Sequence, residues 1–221
     1  MKAKKHEIAL MAACVASLAG LAAIYGRLPE AIPVRWNFRS EVDGWGPRWN
    51  ILLMGALPLA VFLIMKAAPR FDPRKEAYEK HARSYAILTA IMSLVFIPIS
   101  WLVALAALGI ALDVGIWIRL VIGLLFIAIG NYLGTLRPNF FIGIRTPWTI
   151  SDPEVWKKTH RRGAWVFIGM GACMLASLLI PHSAAGAILV VASILGGVVY
   201  LLMYSWLQWK RRRNPDGGEN A

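Results

Sequence analysis

Arg145, Pro147, Trp148, Trp156 and His160 fall within one short stretch, NFFIGIRTPWTISDPEVWKKTH, residues 139–160. A guanidinium offers either a flat cation to an indole face or a planar fork to a carbonyl or carboxylate. Gly143 lets the chain turn and Pro147 pushes Thr146 towards extended geometry, an arrangement that would hold Arg145 beside Trp148. Ser151 fits a capping box with Glu154, and Asp152 fits equally as a cap with Pro153 in the first helical position. A short helix over 153–162 then places Trp156 and His160 four apart on one face. An aromatic belt would account for the tryptophans alone. It does not account for Asn139, Arg145 and Thr146 gathered among fixed dihedrals, so the expectation is an ordered platform.

A second cluster lies in LPEAIPVRWNFRSEVDGWGPRW, residues 28–49. Pro29, Pro33 and Pro47 fix φ while Gly44 and Gly46 permit turns, which predicts an ordered irregular loop. Its tryptophans suit a membrane–water interface. Such a loop either anchors two helix ends or acts as a lid over a ligand or peptide, with Arg35, Trp36, Asn37, Asp43 and Trp45 as its contacts. Between the two clusters, FDPRKEAYEKHARSYA predicts a solvated basic helix, with Asp72 as N-cap and Pro73 first. Glu76–Lys80 and Glu79–Arg83 give acid-before-base pairs four apart along it.

Chemistry of other kinds is missing. The sequence has no HExxH, no paired carboxylates in an apolar run and no phosphate-cradling glycine loop. Cys14 and Cys173 have neither disulfide-framework nor zinc spacing. Ser100, Ser177 and Ser193 stand alone on apolar segments, where bonding to the preceding turn is the expected role. Asp113 and Glu7 sit at helix ends, positions that ordinarily meet water. The reading is therefore a protein that is no enzyme and holds no cofactor and no metal.

The elements that must position these clusters come from hydropathy. Of 221 residues, 58% are hydrophobic and 16% charged, too little polar surface for a soluble domain of this size. Apolar blocks over 8–25, 50–66, 86–108, 114–134, 164–180 and 185–207 are each about long enough to cross the hydrocarbon of a bilayer. The first block could pass for a signal peptide, but its run through Tyr25 favours an uncleaved span. The expected fold is an all-α, polytopic membrane bundle of six transmembrane helices. With six spans, nineteen lysines and arginines collect on the side of the termini and four on the other, which predicts both termini in the cytoplasm. The net charge of +12 flanks the apolar blocks instead of striping a face, so membrane lipids are the expected partner and nucleic acid is not. Arg119 lies six residues into its block, either snorkelling to headgroups or buried for a purpose. "GMGA" at 169–172 is expected to let helices approach closely.

The organisation predicted is a two-span module over 1–68 with an ordered outer loop 26–49, and a cytoplasmic basic linker over 69–85. A four-span domain over 86–209 follows, with a cytoplasmic loop 135–163, and then a disordered basic tail over 210–221.

LPEAIPVRWNFRSEVDGWG resembles the outer-loop signature of the SdpI-like family, immunity proteins against sporulation-delaying peptide toxins. NYLGTLRPNFFIGIRTPWTISDPEVWKKTHRRGA is similar to that family's C-terminal signature, through Asn131, Pro138, Asn139, Gly143, Arg145, Thr146, Pro147, Trp148, Trp156, Thr159 and His160 among others. The resemblance implies a bacterial cell-membrane protein acting in immunity or sensing. It implies a secreted peptide toxin as extracellular partner and a transcriptional repressor as cytoplasmic partner. Asn131, Asn139, Arg145, Thr146, Trp148, Trp156 and His160 would then form a signalling loop. The alternative is a transporter or permease for a small molecule or lipid, with Arg119, Pro58 and Pro98 as its only mid-span irregularities.

Overall fold

The computed structural model describes residues 5–37, 39–74 and 76–213. Lys2, Lys4 and the sequence NPDGGENA, expected to be a disordered end, lie outside the described residues. Six helical stretches are long and apolar enough to cross a membrane. They are α1 (Lys5–Ile24), α2 (Asn50–Phe71), α4 with α5 (Ala82–Leu94 and Phe96–Ala107), α6 (Val114–Leu133), α8 (Pro153–Ala176) and α9 (Ala184–Arg213). Two short helices, α3 (Glu76–Lys80) and α7 (Pro147–Ser151), lie between spans. Helix α9 runs on through Arg213, so residues 210–213, expected in a disordered tail, are helical.

Local chemistry explains the interruptions. The third span is two helices meeting at Val95, because Pro98 has no N–H for the carbonyl of Leu94 and its ring crowds it. The fifth span has no separate short helix over 153–162. It runs unbroken through Gly163, where the side chains of Ile144, Leu133 and Leu201 occupy the space a Cβ would take. Gly163 is therefore a packing residue and not a breaker. Helices α6 and α8 pack closely where Gly171 faces the backbone of Gly123, a Cβ on the former falling 2.6 Å from the latter's carbonyl oxygen. Ser100, Ser177 and Ser193 each donate to a carbonyl three residues back, as expected of serines on apolar helices.

The bundle is helical, but the stretch over 28–49 corrects the expectation of an irregular loop. It is an antiparallel hairpin of β1 (Ala31–Trp36) and β2 (Val42–Pro47), with Ala31 opposite Pro47 and Trp36 opposite Val42. Gly44 and Gly46 lie in β2 and not in its turn. The turn is made instead by Asn37, whose side-chain oxygen accepts from the N–H groups of Arg39 (2.8 Å) and Glu41 (3.1 Å). Ile32 and Leu28 are buried with Leu21, Ile51, Val103 and Ala104, seating the hairpin on the ends of α1, α2 and α5. With six alternating spans, the hairpin shares one end of the bundle with the 108–113 and 180–183 turns. The 72–81 and 134–152 segments share the other.

Candidate functional site

At the end opposite the hairpin, the segment after α6 is built around three buried side chains. Asn139 is 1% exposed; its oxygen accepts from the N–H groups of Phe141 (2.9 Å) and Ile142 (2.8 Å), and its amide donates to Arg137 O (2.9 Å). Trp156 donates from its indole to Leu136 O at 2.9 Å. His160 stacks on that indole, ring centroids 3.9 Å apart. Its Nε2 accepts from the N–H of Ile144 at 3.0 Å, which leaves Nδ1–H to donate to Trp156 O at 2.9 Å. Both ring nitrogens are thereby satisfied in one neutral tautomer. Gly143 crosses this ring with φ of 112°, and a Cβ there would stand 2.3 Å from Nε2.

The GIRTPWT turn is fixed by threonines. Thr146 caps α7 in a reciprocal box with Thr149, and Pro147 occupies the first turn. The Thr149 hydroxyl lies 2.8 Å from Ile144 O, and that of Thr146 reaches Ser205 of α9 at 3.2 Å. Asp152, not Ser151, caps α8, accepting from the N–H groups of Glu154 and Val155. Burial pushes its pKa up, but those two N–H groups and the Arg212 guanidinium outweigh burial and hold it below the usual carboxylate range.

Asp72 is not the N-cap expected with Pro73, since α3 begins at Glu76; it is the residue that closes α2. It is 3% exposed, and its carboxylate accepts from Tyr78 OH (2.6 Å), the N–H of Phe140 (2.8 Å) and the N–H of Arg74 (2.8 Å). Burial raises its pKa, yet these donors and the Arg74 charge together leave it lowered. Tyr78 is driven above the ordinary tyrosine range, by burial first and then by the Asp72 carboxylate. One face of the linker, carrying Asp72, Tyr78 and His81, is thus folded into the platform, while Glu76, Glu79, Lys80 and Arg83 stay exposed as expected of a solvated helix. Neither Glu76–Lys80 nor Glu79–Arg83 is among the ion pairs of the described residues.

Of the residues expected here, Asn139, Thr146, Trp156 and His160 are buried in one connected unit. Arg145 is exposed and, among the described residues, lies over no ring, so it does not stack on the half-buried Trp148. Asn131 points away on α6, donating to Ile127 O. Sequence reasoning missed Asp72 and Tyr78 as members. The spacing of Tyr78, His81 and Tyr85, three and four apart, was the available sign of a buried helix face.

At the hairpin end, Arg35 donates to Asp43 through Nε (2.9 Å to Oδ1) and through its second terminal nitrogen (2.8 Å to the backbone O). Asn37 holds the turn and donates to Glu41 at 2.8 Å. Trp36 packs inward on the Leu21–Ile51 cluster, whereas Trp45 is 64% exposed. The hairpin tip is tied across the bundle to Asp113 by Ser40 and His182, which sequence reading passed over. Ser40 Oγ donates to Asp113 Oδ1 at 2.6 Å, and His182 Nε2 approaches Asp113 Oδ2 at 2.7 Å. His182 Nδ1 lies 3.0 Å from Arg39 O, so both imidazole nitrogens face acceptors. Burial acts to raise the Asp113 pKa, but Ser40, the N–H of Ile116 and His182 hold it lowered. Asp113 is thus a three-way anchor, where its place at a helix end suggested only water.

Residues 135–205 match the model of the SdpI/YfhL protein family, and residues 12–58 match a domain of unknown function, DUF1648. The chain is 27% identical over 170 residues to the immunity protein SdpI of Bacillus subtilis (strain 168), covering 76% of this chain and 78% of the relative. No solved structure matches it significantly.

Proposed function

We propose that this multi-pass membrane protein, whose C-terminal spans match the SdpI/YfhL family, protects its bacterial host from a secreted peptide toxin met at the hairpin end. The observation that carries the reading is the hairpin, a short β-ribbon seated on three helix ends, in a chain that resembles an immunity protein. Its β2 strand is mostly exposed and, among the described residues, has no further strand beside it, the edge to which an extended peptide can add by main-chain hydrogen bonding. Trp45 supplies an apolar contact there, and Arg35 with Asp43 a charged pair that an incoming chain can exchange.

The positive-inside imbalance supports placing both termini and the platform in the cytoplasm, with the hairpin outside. The match to 12–58 falls within the proposed two-span module, and the match to 135–205 covers the last two spans with the loop before them. On this arrangement the platform of Asn139, Thr146, Trp156 and His160 presents the state of spans four to six to a cytoplasmic protein. Arg145 and Trp148 supply its accessible groups. A transcriptional repressor is the partner that the family resemblance suggests.

The test is survival of a sensitive strain expressing Asn37→Ala or Asp43→Ala under a peptide toxin of the sporulation-delaying type, with membrane abundance measured alongside. Protection should be lost at unchanged abundance; loss only in proportion to lost protein returns the hairpin to a structural role. Single cysteines at Asp43 and Asp152 should label from outside and inside respectively.

A further inference from the structure

Below the platform, an apolar cavity of about 220 Å³ opens between α4, α6 and α8. Leu88, Met92, Ile129, Leu133, Ile144 and Phe167 form most of its wall, and every other lining residue is apolar or glycine. A basin of about 740 Å³ lies next to it, towards the end of the bundle, between the starts of α4 and α8 and the chain leaving α6. Lys80, Arg83, Arg137 and Lys157 line the basin and are all exposed; the carboxylates facing it are Glu79 and Glu154. Leu136 borders both spaces, and two neighbouring pairs line one space each, Ser84 and Leu88 one turn apart on α4 and Gly134 and Leu133 at the end of α6.

We infer that this pair of spaces is a binding site for one anionic phospholipid, its phosphate in the basin and one acyl chain in the cavity. The cavity selects the chain: a peptide inserted there would leave its N–H and C=O groups without partners, whereas a hydrocarbon has none to satisfy. Two flexible methionines, Met65 and Met92, let the wall follow a mobile chain. The basin selects the charge, with four cations against two carboxylates at the level where the spans meet the headgroups. The site also reaches Gly143 and Ile144, the backbone that bonds His160, so a bound chain supports the platform from below. This inference does not depend on toxin immunity and is tested without a toxin.

The experiment is native mass spectrometry of the purified full chain in detergent. It is titrated with phosphatidylglycerol, with phosphatidylcholine of the same acyl chains, and with glycerol phosphate as the soluble headgroup alone. Wild type should retain one phosphatidylglycerol in preference to phosphatidylcholine. Arg137→Gln with Lys157→Gln should lower phosphatidylglycerol affinity roughly thirtyfold, at about 1 kcal/mol for each basic side chain, and leave phosphatidylcholine unchanged. Met92→Trp, or Ile129→Phe as a milder filling of the cavity, should weaken both lipids alike. Equal retention of the two lipids by wild type overturns the site, as does a preference that survives the double glutamine variant. Displacement of the lipid by glycerol phosphate at matched concentration would assign the basin to a soluble anion. Undiminished binding to both cavity-filling variants would remove the acyl chain from the cavity.

Discussion

Gly143→Ala is the sharpest probe of the platform, because one methyl group meets three constraints at once. The backbone there has φ of 112°, a region that residues other than glycine adopt at a cost of about 1–3 kcal/mol. The new Cβ would stand 2.3 Å from His160 Nε2 and 3.3 Å from the Trp156 ring, so something must move. The imidazole has little freedom to do so, held by Ile144, by Trp156 O and by the stacked indole. Displacing it gives up the Ile144 hydrogen bond inside a buried unit, about 1–3 kcal/mol, and adds overpacking of similar size. Allowing for overlap between these terms, the loss is roughly 3–6 kcal/mol. At about 2–4 °C per kcal/mol for a chain of this length, Tm should fall by the order of 10 °C. Thermal unfolding in detergent measures it, and a cycle with His160→Ala separates the parts. With the ring gone the clash disappears, so Gly143→Ala should then cost only its backbone strain. A loss below about 1 kcal/mol in the wild-type background, or strict additivity with His160→Ala, would refute the argument.

The lowered pKa of Asp72 makes stability depend on pH with a definite sign. Its contribution is fully present above the unfolded carboxylate value of about 3.9 and is lost as pH falls through the lower folded value. The stability difference between wild type and Asp72→Asn should therefore narrow in acid below pH about 4 and be flat above it; Tyr78→Phe, which removes one charge-assisted bond, should cost about 1.5–3 kcal/mol above that range. At the other end, Ser40→Ala and His182→Ala should each cost about 1 kcal/mol or less, because the Asp113 cluster is partly exposed. Both should still speed hydrogen exchange at Arg39 to Glu41 selectively, and exchange unchanged from wild type would mean that the hairpin tip is held by other contacts. Arg145→Lys should leave stability within about 0.5 kcal/mol of wild type, since the guanidinium is exposed and stacks on no ring among the described residues. A large loss would show that its planar fork has a structural partner.

The six spans were legible because hydropathy over about twenty residues is a local property of the chain, whatever the neighbouring helices do. The Asp152–Pro153 helix start was legible for the same reason, as its hydrogen bonds close within three residues. That Asn139, Thr146, Trp156 and His160 belong to an ordered unit could also be read, because a loop carries such side chains seldom without using their geometry. Their partners could not. Asp72 meets Phe140 across 68 positions, Ser40 meets Asp113 across 73, and Arg39 meets His182 across 143. Nothing in the local pattern marks one member of such a pair for the other. The hairpin was hidden differently: prolines and glycines in 29–47 have the same composition in an irregular loop and in a strand pair, and the Arg35–Asp43 and Asn37–Glu41 bonds select the latter. The sequence by itself determined which segments are long and apolar enough to cross a membrane and, at Asp152–Pro153, where one helix begins. Tertiary structure decided which polar groups close on one another, because a buried carboxylate or imidazole is tolerated only where the packed bundle delivers its donors and acceptors from distant parts of the chain.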